Sequence, residues 1–285
     1  MSILNHVISG KSFKPPRIIV YGPPKIGKST FLSEMPKPIV IQTEDGNESI
    51  GTDRFPLCEN LSDVFLYLKA LRDDKHKFKT IGMDSLSALQ TLIFQRVAED
   101  KGKTYIEDIG FQAGYKLAIK YWEEFFALVD EVVGMKSMAF CGIAHATIRE
   151  YHDPDGENYD QFTMDLHKHI VPEITRWADM IMFINFKTYT KVTGEGLNKE
   201  VKPTGDARRV AYTEKRAAFD AGRRDIFGAL PSEFDIERGQ TWNTIAKYLG
   251  EETKKYKTVK KEVVEEEPKE MIKVSKDFDE DQIPA

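Results

Sequence analysis

The chain carries only two cysteines, Cys58 and Cys141, in 285 residues. Two cysteines cannot build a disulfide framework, and neither has a metal-ligand neighbour at short spacing. Cys141 lies in the apolar run 137–144 and reads as a small buried hydrophobe. Long apolar runs are also missing. None approaches the roughly 20 residues of a membrane span, so no membrane partner is expected. Residues 1–13 contain no long apolar stretch, so no signal peptide is expected there. Positive charge is not in excess: Lys plus Arg number 41 against 46 Asp plus Glu, a net charge of -5. A basic nucleic-acid coat is thereby excluded, and any DNA contact needs a local basic patch. Internal repeats are absent. The expected setting is a reducing cytoplasm.

What is present is a core with a charged extension. Hydrophobic residues make up 41% and charged residues 31%, enough apolar surface for one large domain. Residues 1–16 read as a lead-in ending in Pro15 and Pro16. Residues 17–250 read as the core, and 251–285 as a charge run without apolar periodicity, expected to be disordered. Apolar strands are expected at 18–21, 39–43, 80–84, 137–144 and 178–186. Helical spacing is found at 61–71, 86–98, 115–133 and 242–249. Stretches 189–192 and 210–213 read as the two arms of an antiparallel hairpin. Strands alternating with helices predict an α/β fold, a mostly parallel sheet flanked by helices. Ligands of such sheets sit at the carboxyl ends of the strands.

Directly after the first strand comes Gly22-Pro23-Pro24-Lys25-Ile26-Gly27-Lys28-Ser29, with Thr30 continuing into a helix. This is G-x-x-x-x-G-K-[ST] in its required setting of strand, tight loop and helix start. Loop N–H groups cradle phosphate, Lys28 reaches the β- and γ-phosphates, and the Ser29 hydroxyl is placed for Mg²⁺. ATP and Mg²⁺ are the expected cofactors. Lys28 is expected to be an exposed point charge when no phosphate is present.

Other polar residues close the strands. Asp84 ends the third strand, where a carboxylate can hold the Mg²⁺ shell opposite Ser29 or cap the next helix. Glu44 ends the second and is a candidate base for the attacking water, with Asp45 beside it. His145 ends the fourth and is either a contact to the γ-phosphate or a structural histidine. The stretch 147–165 reads as a long polar loop, with a hairpin tipped by Asp153-Pro154-Asp155-Gly156 as the alternative. Its Arg149, Tyr151 and Tyr159 suit single-stranded nucleic acid, because bases stack on rings whatever their identity. Arg208, Arg209, Lys215, Arg216, Arg223 and Arg224 form a basic cluster. It is a solvated face, a source of arginine fingers, or a set of DNA phosphate contacts.

The order of these motifs resembles the RecA-type ATPase core: phosphate loop 22–29, strand ending in Glu44, strand ending in Asp84, strand ending in His145, and later Phe219-Asp220-Ala221-Gly222-Arg223-Arg224. Within that group the chain is most similar to phage nucleotide-binding proteins that act as single-strand annealing recombinases. The resemblance implies Glu44 as water-activating base, Asp84 as the Walker B acid, and 147–165 as a DNA-binding element. It implies Arg223 or Arg224 as a finger acting across a subunit interface, hence a homo-oligomer in ring or filament form. His145 falls where such cores place a polar γ-phosphate sensor, commonly Gln. The setting would then be the host cytoplasm. Residues 277–284 resemble the acidic tip of bacterial single-stranded DNA-binding proteins, ending in Ala285 rather than Phe. That tip either docks a replication partner or keeps DNA off the basic surface. The implied function is an ATP-hydrolysing, single-stranded-DNA-binding recombinase. Two alternatives stay open: a P-loop nucleotide or small-molecule kinase, and a nucleotide-dependent adaptor or loader for another replication protein.

Overall fold

The structure, a computed structural model, describes residues 14–46, 51–154, 156–193 and 200–249. The lead-in before residue 14 and the acidic tail beyond 249 lie outside the described residues. In chain order the elements are β1 (Arg17–Gly22), α1 (Lys28–Glu34), β2 (Pro38–Gln42), β3 (Asp53–Arg54), α2 (Leu61–Asp73), β4 (Thr80–Asp84), α3 (Leu86–Asp100) and α4 (Ala113–Lys136). They continue with β5 (Ala139–Tyr151), β6 (Tyr159–Met164), α5 (Val171–Trp177), β7 (Met180–Thr193), β8 (Glu200–Tyr212), β9 (Gly222–Arg223), β10 (Glu233–Asp235) and α6 (Thr241–Ala246).

The sheet runs β10-β8-β7-β1-β5-β4-β2-β3, with β6 paired to β5 and β9 to β7. From β7 to β3 every neighbour is parallel, whereas β8, β9 and β10 join antiparallel. The expected α/β architecture is thus present. Strand residues alternate between two cores because successive side chains point to opposite faces. Ile19, Tyr21, Ile41, Met83 and Phe140 pack with α2, α3 and α4, including Trp122 and Phe125. Ile18, Val20, Val40, Cys141 and Ile184 pack with α1 and α6, including Phe31 and Trp242. Both faces are covered, which is why these strands read as continuous apolar runs. Gly82 lets α1 approach the sheet closely, since a Cβ there would lie 2.6 Å from Leu32 Cδ2. Both cysteines are buried, and burial pushes the Cys58 thiol up to about 12 and that of Cys141 higher still. Among the described residues no helix is long and apolar enough to cross a membrane.

Two expectations are corrected. The stretch 147–165 is not an irregular loop but the alternative, a hairpin: β5 runs on past the sheet to Tyr151 and returns as β6, in register from Ala146↔Met164 to Tyr151↔Tyr159. The hairpin leaves the sheet, so it lacks the apolar alternation that marks a half-buried strand. The second correction concerns 178–193. Its strand and the first arm of the expected hairpin are one continuous β7, and Val210 pairs Asn185, not a residue of 189–192.

The opposite end of the sheet is tied by one carboxylate. Asp179, 8% exposed, accepts from Arg17 backbone N–H at 2.9 Å, from Arg17 Nε at 3.1 Å and Nη2 at 3.0 Å, and from Arg224 Nη1 at 3.0 Å. It thereby joins the starts of β1 and β7 to the end of β9. Asp179→Ala leaves two guanidinium groups short of their partner. We expect a loss of about 2–4 kcal/mol, seen as a lower urea midpoint with an unchanged slope; an unchanged midpoint would show that this knot contributes no stability.

Candidate nucleotide-binding site

The parallel strands bring their carboxyl ends to one level. Gly22 stands across from His145, and Asp84 has Gln42 on one side and Ile143 on the other. At Gly22 the chain must turn in a space that admits no side chain: a Cβ would lie 2.3 Å from the carbonyl oxygen of Ile184. Gly27, φ 114°, and Lys25, φ 61°, take left-handed conformations that curl the loop before α1 begins at Lys28.

Lys28 is not the exposed charge expected from sequence. It is 6% exposed, and its Nζ donates to the carbonyls of Gly22 and Pro23, each at 2.9 Å. Burial lowers its pKa, opposed by the charges of Asp84 and Glu44. Ser29 Oγ donates to Asp84 Oδ2 at 2.8 Å. Asp84, 4% exposed, is not the cap of the following helix: Ser85 is, its Oγ accepting from Ala88 N–H at 3.1 Å. The Asp84 carboxylate is therefore turned to the phosphate loop. A hydroxyl and a carboxylate converging beside a lysine form a hard oxygen donor set, which fits Mg²⁺ on a nucleotide. Ser29 and Asp84 would hold the ion, directly or through water. When bound, it neutralises phosphate charge. Among the described residues no group of three or more His, Cys, Asp or Glu side chains forms a metal cluster of its own.

Glu44 and His145 meet. Thr43 fixes the end of β2 by donating its Oγ1 to the Ser85 carbonyl at 2.6 Å and its N–H to the Asp84 carbonyl at 2.9 Å. The next residue, Glu44, then reaches across the end of β4 to His145, with Nε2 at 3.2 and 3.1 Å from the two carboxylate oxygens. The hydrogen bond from His145 holds the Glu44 carboxyl below its ordinary range, and the bond to Glu44 raises the imidazole above its own. Backbone N–H of His145 is held by Ser87 Oγ at 3.1 Å. His145 thus touches the candidate base itself.

The basic cluster does not converge on one surface. Arg223 and Arg224 lie at the far end of the sheet from the phosphate loop, because β9 pairs with Ile181 and Met180 at the start of β7. Arg223 binds Glu214 at 2.7 Å and the Gly228 carbonyl at 3.0 Å, while Arg224 binds Asp179. The structure does not bring either to its own phosphate loop. Arg208 faces Asp235 at 3.5 Å, Lys215 faces Asp220 at 3.5 Å, and Arg216 faces Glu233 at 2.6 Å. Arg149 donates to the Leu166 carbonyl at 2.5 Å. Tyr151 and Tyr159 pair across the β5–β6 hairpin, ring centroids 5.1 Å apart, with Lys215 Nζ 5.6 Å from the Tyr151 ring. Arg209 goes elsewhere: its Nη1 donates to the Ile26 carbonyl in the phosphate loop at 3.3 Å. Sequence reasoning missed the Glu44–His145 contact and the placement of Arg209, and no local signal announces either.

The pair has a defined pH window. His145, raised by Glu44, contributes stability that is present below its ordinary pKa of 6.5 and lost as pH rises through its folded value. Glu44, lowered by His145, contributes stability present above its ordinary 4.5 and lost as pH falls through its folded value. An NMR titration should place the His145 midpoint above 6.5, and Glu44→Gln should return it toward that value. An identical midpoint in both proteins would show that the two side chains do not meet in solution.

The sequence profile of the AAA domain family matches residues 14–224, a span that runs from β1 through β9. No curated protein matches the chain. The solved structure of the flagellar accessory protein FlaH from Methanocaldococcus jannaschii superposes with a TM-score of 0.35 at 13% identity, covering 70% of this chain and 77% of that one. So loose an overlap bears no weight on function. The phosphate loop, the acidic strand end beside it and the profile match agree: the chain belongs to the AAA domain family and is a P-loop ATPase.

Proposed function

We propose that this ATPase binds single-stranded DNA and promotes strand annealing, in phage DNA recombination or replication. One observation carries the reading: β5 is a single strand that passes from the sheet, through His145 at the nucleotide site, out to Tyr151 on the hairpin. Glu44 thus bonds β5 at the residue where that strand leaves β1 and enters the hairpin. The motif order shared with phage annealing recombinases supports the same reading. Arg149, Tyr151 and Tyr159 would take the DNA, with Arg208 as a further phosphate contact.

The chemistry follows from the placed groups. Glu44 accepts a proton from the attacking water and Lys28 neutralises charge on the phosphates. His145 orients the Glu44 carboxylate and competes with water for it. The proposal includes a homo-oligomer, in which a finger contact from Arg223 or Arg224 to a neighbour would have to exchange Glu214 or Asp179 for a phosphate.

Glu44→Gln keeps the shape and removes the base, so ATP should still bind while turnover falls by roughly a hundredfold or more. Near-normal turnover would place the base elsewhere, with Asp45 next in line. Tyr151→Ala and Tyr159→Ala should each weaken single-stranded DNA binding by roughly tenfold, the worth of one stacked base, and should abolish DNA stimulation of turnover. The decisive experiment is ATPase rate with and without single-stranded DNA, run beside a strand-annealing assay. Turnover indifferent to DNA, with no annealing, would overturn the recombinase reading and leave the adaptor. Phosphate transfer to an added nucleoside monophosphate would establish the kinase.

A further inference from the structure

Arg209 differs from the other arginines of its segment in what it faces. Arg208, Arg216, Arg223 and Arg224 each meet a carboxylate. Among the described residues Arg209 meets a carbonyl of the phosphate loop and no carboxylate. The contact is close: a Cβ built on Gly27 would lie 3.1 Å from Arg209 Nη1.

Its partner across the β7–β8 ladder is Phe186. Directly opposed residues of an antiparallel pair put their side chains on one face, with Cβ atoms about 5 Å apart. The neighbouring pair on that face, Ile184 and Ala211, packs in one core with α1 and Ile26. This is therefore the face that the phosphate loop covers. Phe186 stands one step beyond the core and is 47% exposed. A half-exposed ring and a guanidinium that meets no carboxylate among the described residues thus share the rim of the phosphate loop, midway along β7 and just past its parallel pairing with β1.

We propose that Phe186 and Arg209 form the outer edge of the nucleotide site within one subunit. The ring stacks on the base, and the guanidinium braces the loop through Ile26 while facing the charge of the polyphosphate. Stacking uses the π-face that every base has, so this edge favours a nucleotide over bare polyphosphate without reading which base it carries. A guanidinium suits the second task because its several N–H groups can hold a carbonyl and a phosphate oxygen together. Arg209 is then a nucleotide-positioning residue and not a DNA contact. The inference rests on reading 22–29 as the ATP site.

The test is a set of titrations with ATP and with inorganic tripolyphosphate, which has the charge but no base. Phe186→Ala and Phe186→Leu should weaken ATP by roughly tenfold, in line with base stacking on an aromatic ring, and leave tripolyphosphate unchanged. The leucine keeps apolar bulk, so it separates loss of the ring from loss of packing. Arg209→Gln should weaken both ligands by a similar factor, with Arg209→Lys intermediate. Arg176→Gln, on exposed α5, should change neither. Circular dichroism and a thermal melt confirm that each variant folds. Equal losses for ATP and tripolyphosphate in the Phe186 variants, or no loss in any variant, would overturn the inference. Lys28→Ala separates the two levels. If it loses ATP while the Phe186 and Arg209 variants keep it, only this inference fails. If it keeps ATP, the reading of the site itself fails.

Discussion

Gly22 has no room for a side chain, and the arrangement of the site follows from that close approach. β1 lies between β5 and β7, parallel to both. The chain leaves the sheet where the Ile184 carbonyl stands 2.3 Å from a would-be Cβ. Only glycine turns there, so the loop is held against Ile184 of β7 on one side and beside His145 on the other. The two cores lock this level in place, because Ile18 and Val20 are gripped on one face of β1 and Ile19 and Tyr21 on the other. A slip of one residue would exchange the faces and carry the loop out of line with Asp84 and His145.

The electrostatics follow from burial. A lysine at 6% exposure needs its charge met, and two loop carbonyls and the nearby carboxylates of Asp84 and Glu44 meet it. Those carboxylates are in turn engaged, Asp84 by Ser29 and Glu44 by His145. Removing Asp84 would leave the buried Lys28 short of counter-charge, which costs more than the pair contributes. A polyanion entering here competes for Lys28 and Ser29. Lys28 and Glu44 interact through their charges, and Glu44 bonds His145 on β5, the strand that continues into the hairpin.

The legibility of the sequence tracks how local each feature is. Eight consecutive residues encode the turn, the left-handed glycine and the helix start, so 22–29 could be read directly. Asp84 and Glu44 were legible as polar residues ending apolar strands. Their company was not. Glu44 and His145 are separated by 101 positions, and they meet only because the sheet order places β4 between β2 and β5. The arginines show the same limit more sharply. Arg209 and Arg223 look alike in sequence, yet β8 lifts one to the loop while β9 returns the other to the far end. For 147–165 the turn residues left a hairpin open beside a loop, and the strands did not decide it because they project from the sheet, with exposed Ile148 on one strand and charges on both.

The pairing of the basic cluster also bears on how a second polyanion could be held. Cations that already face carboxylates contribute little net field, so the segment 208–224 is not a basic patch in the ordinary sense. Paired is not the same as withdrawn, however. Arg208 and Asp235 are each about half exposed, as are Lys215 and, to a lesser degree, Asp220. Ion pairs of that kind are worth about 0–1 kcal/mol. A phosphate could therefore take the cation from its carboxylate at small cost, the displaced acid returning to water. Binding by exchange gains little from each contact and is readily screened by salt. Most of the affinity for a single strand would then have to come from rings on which bases can stack. In the function proposed above, Tyr151 at the end of β5 and Tyr159 opposite it on β6 would supply those rings.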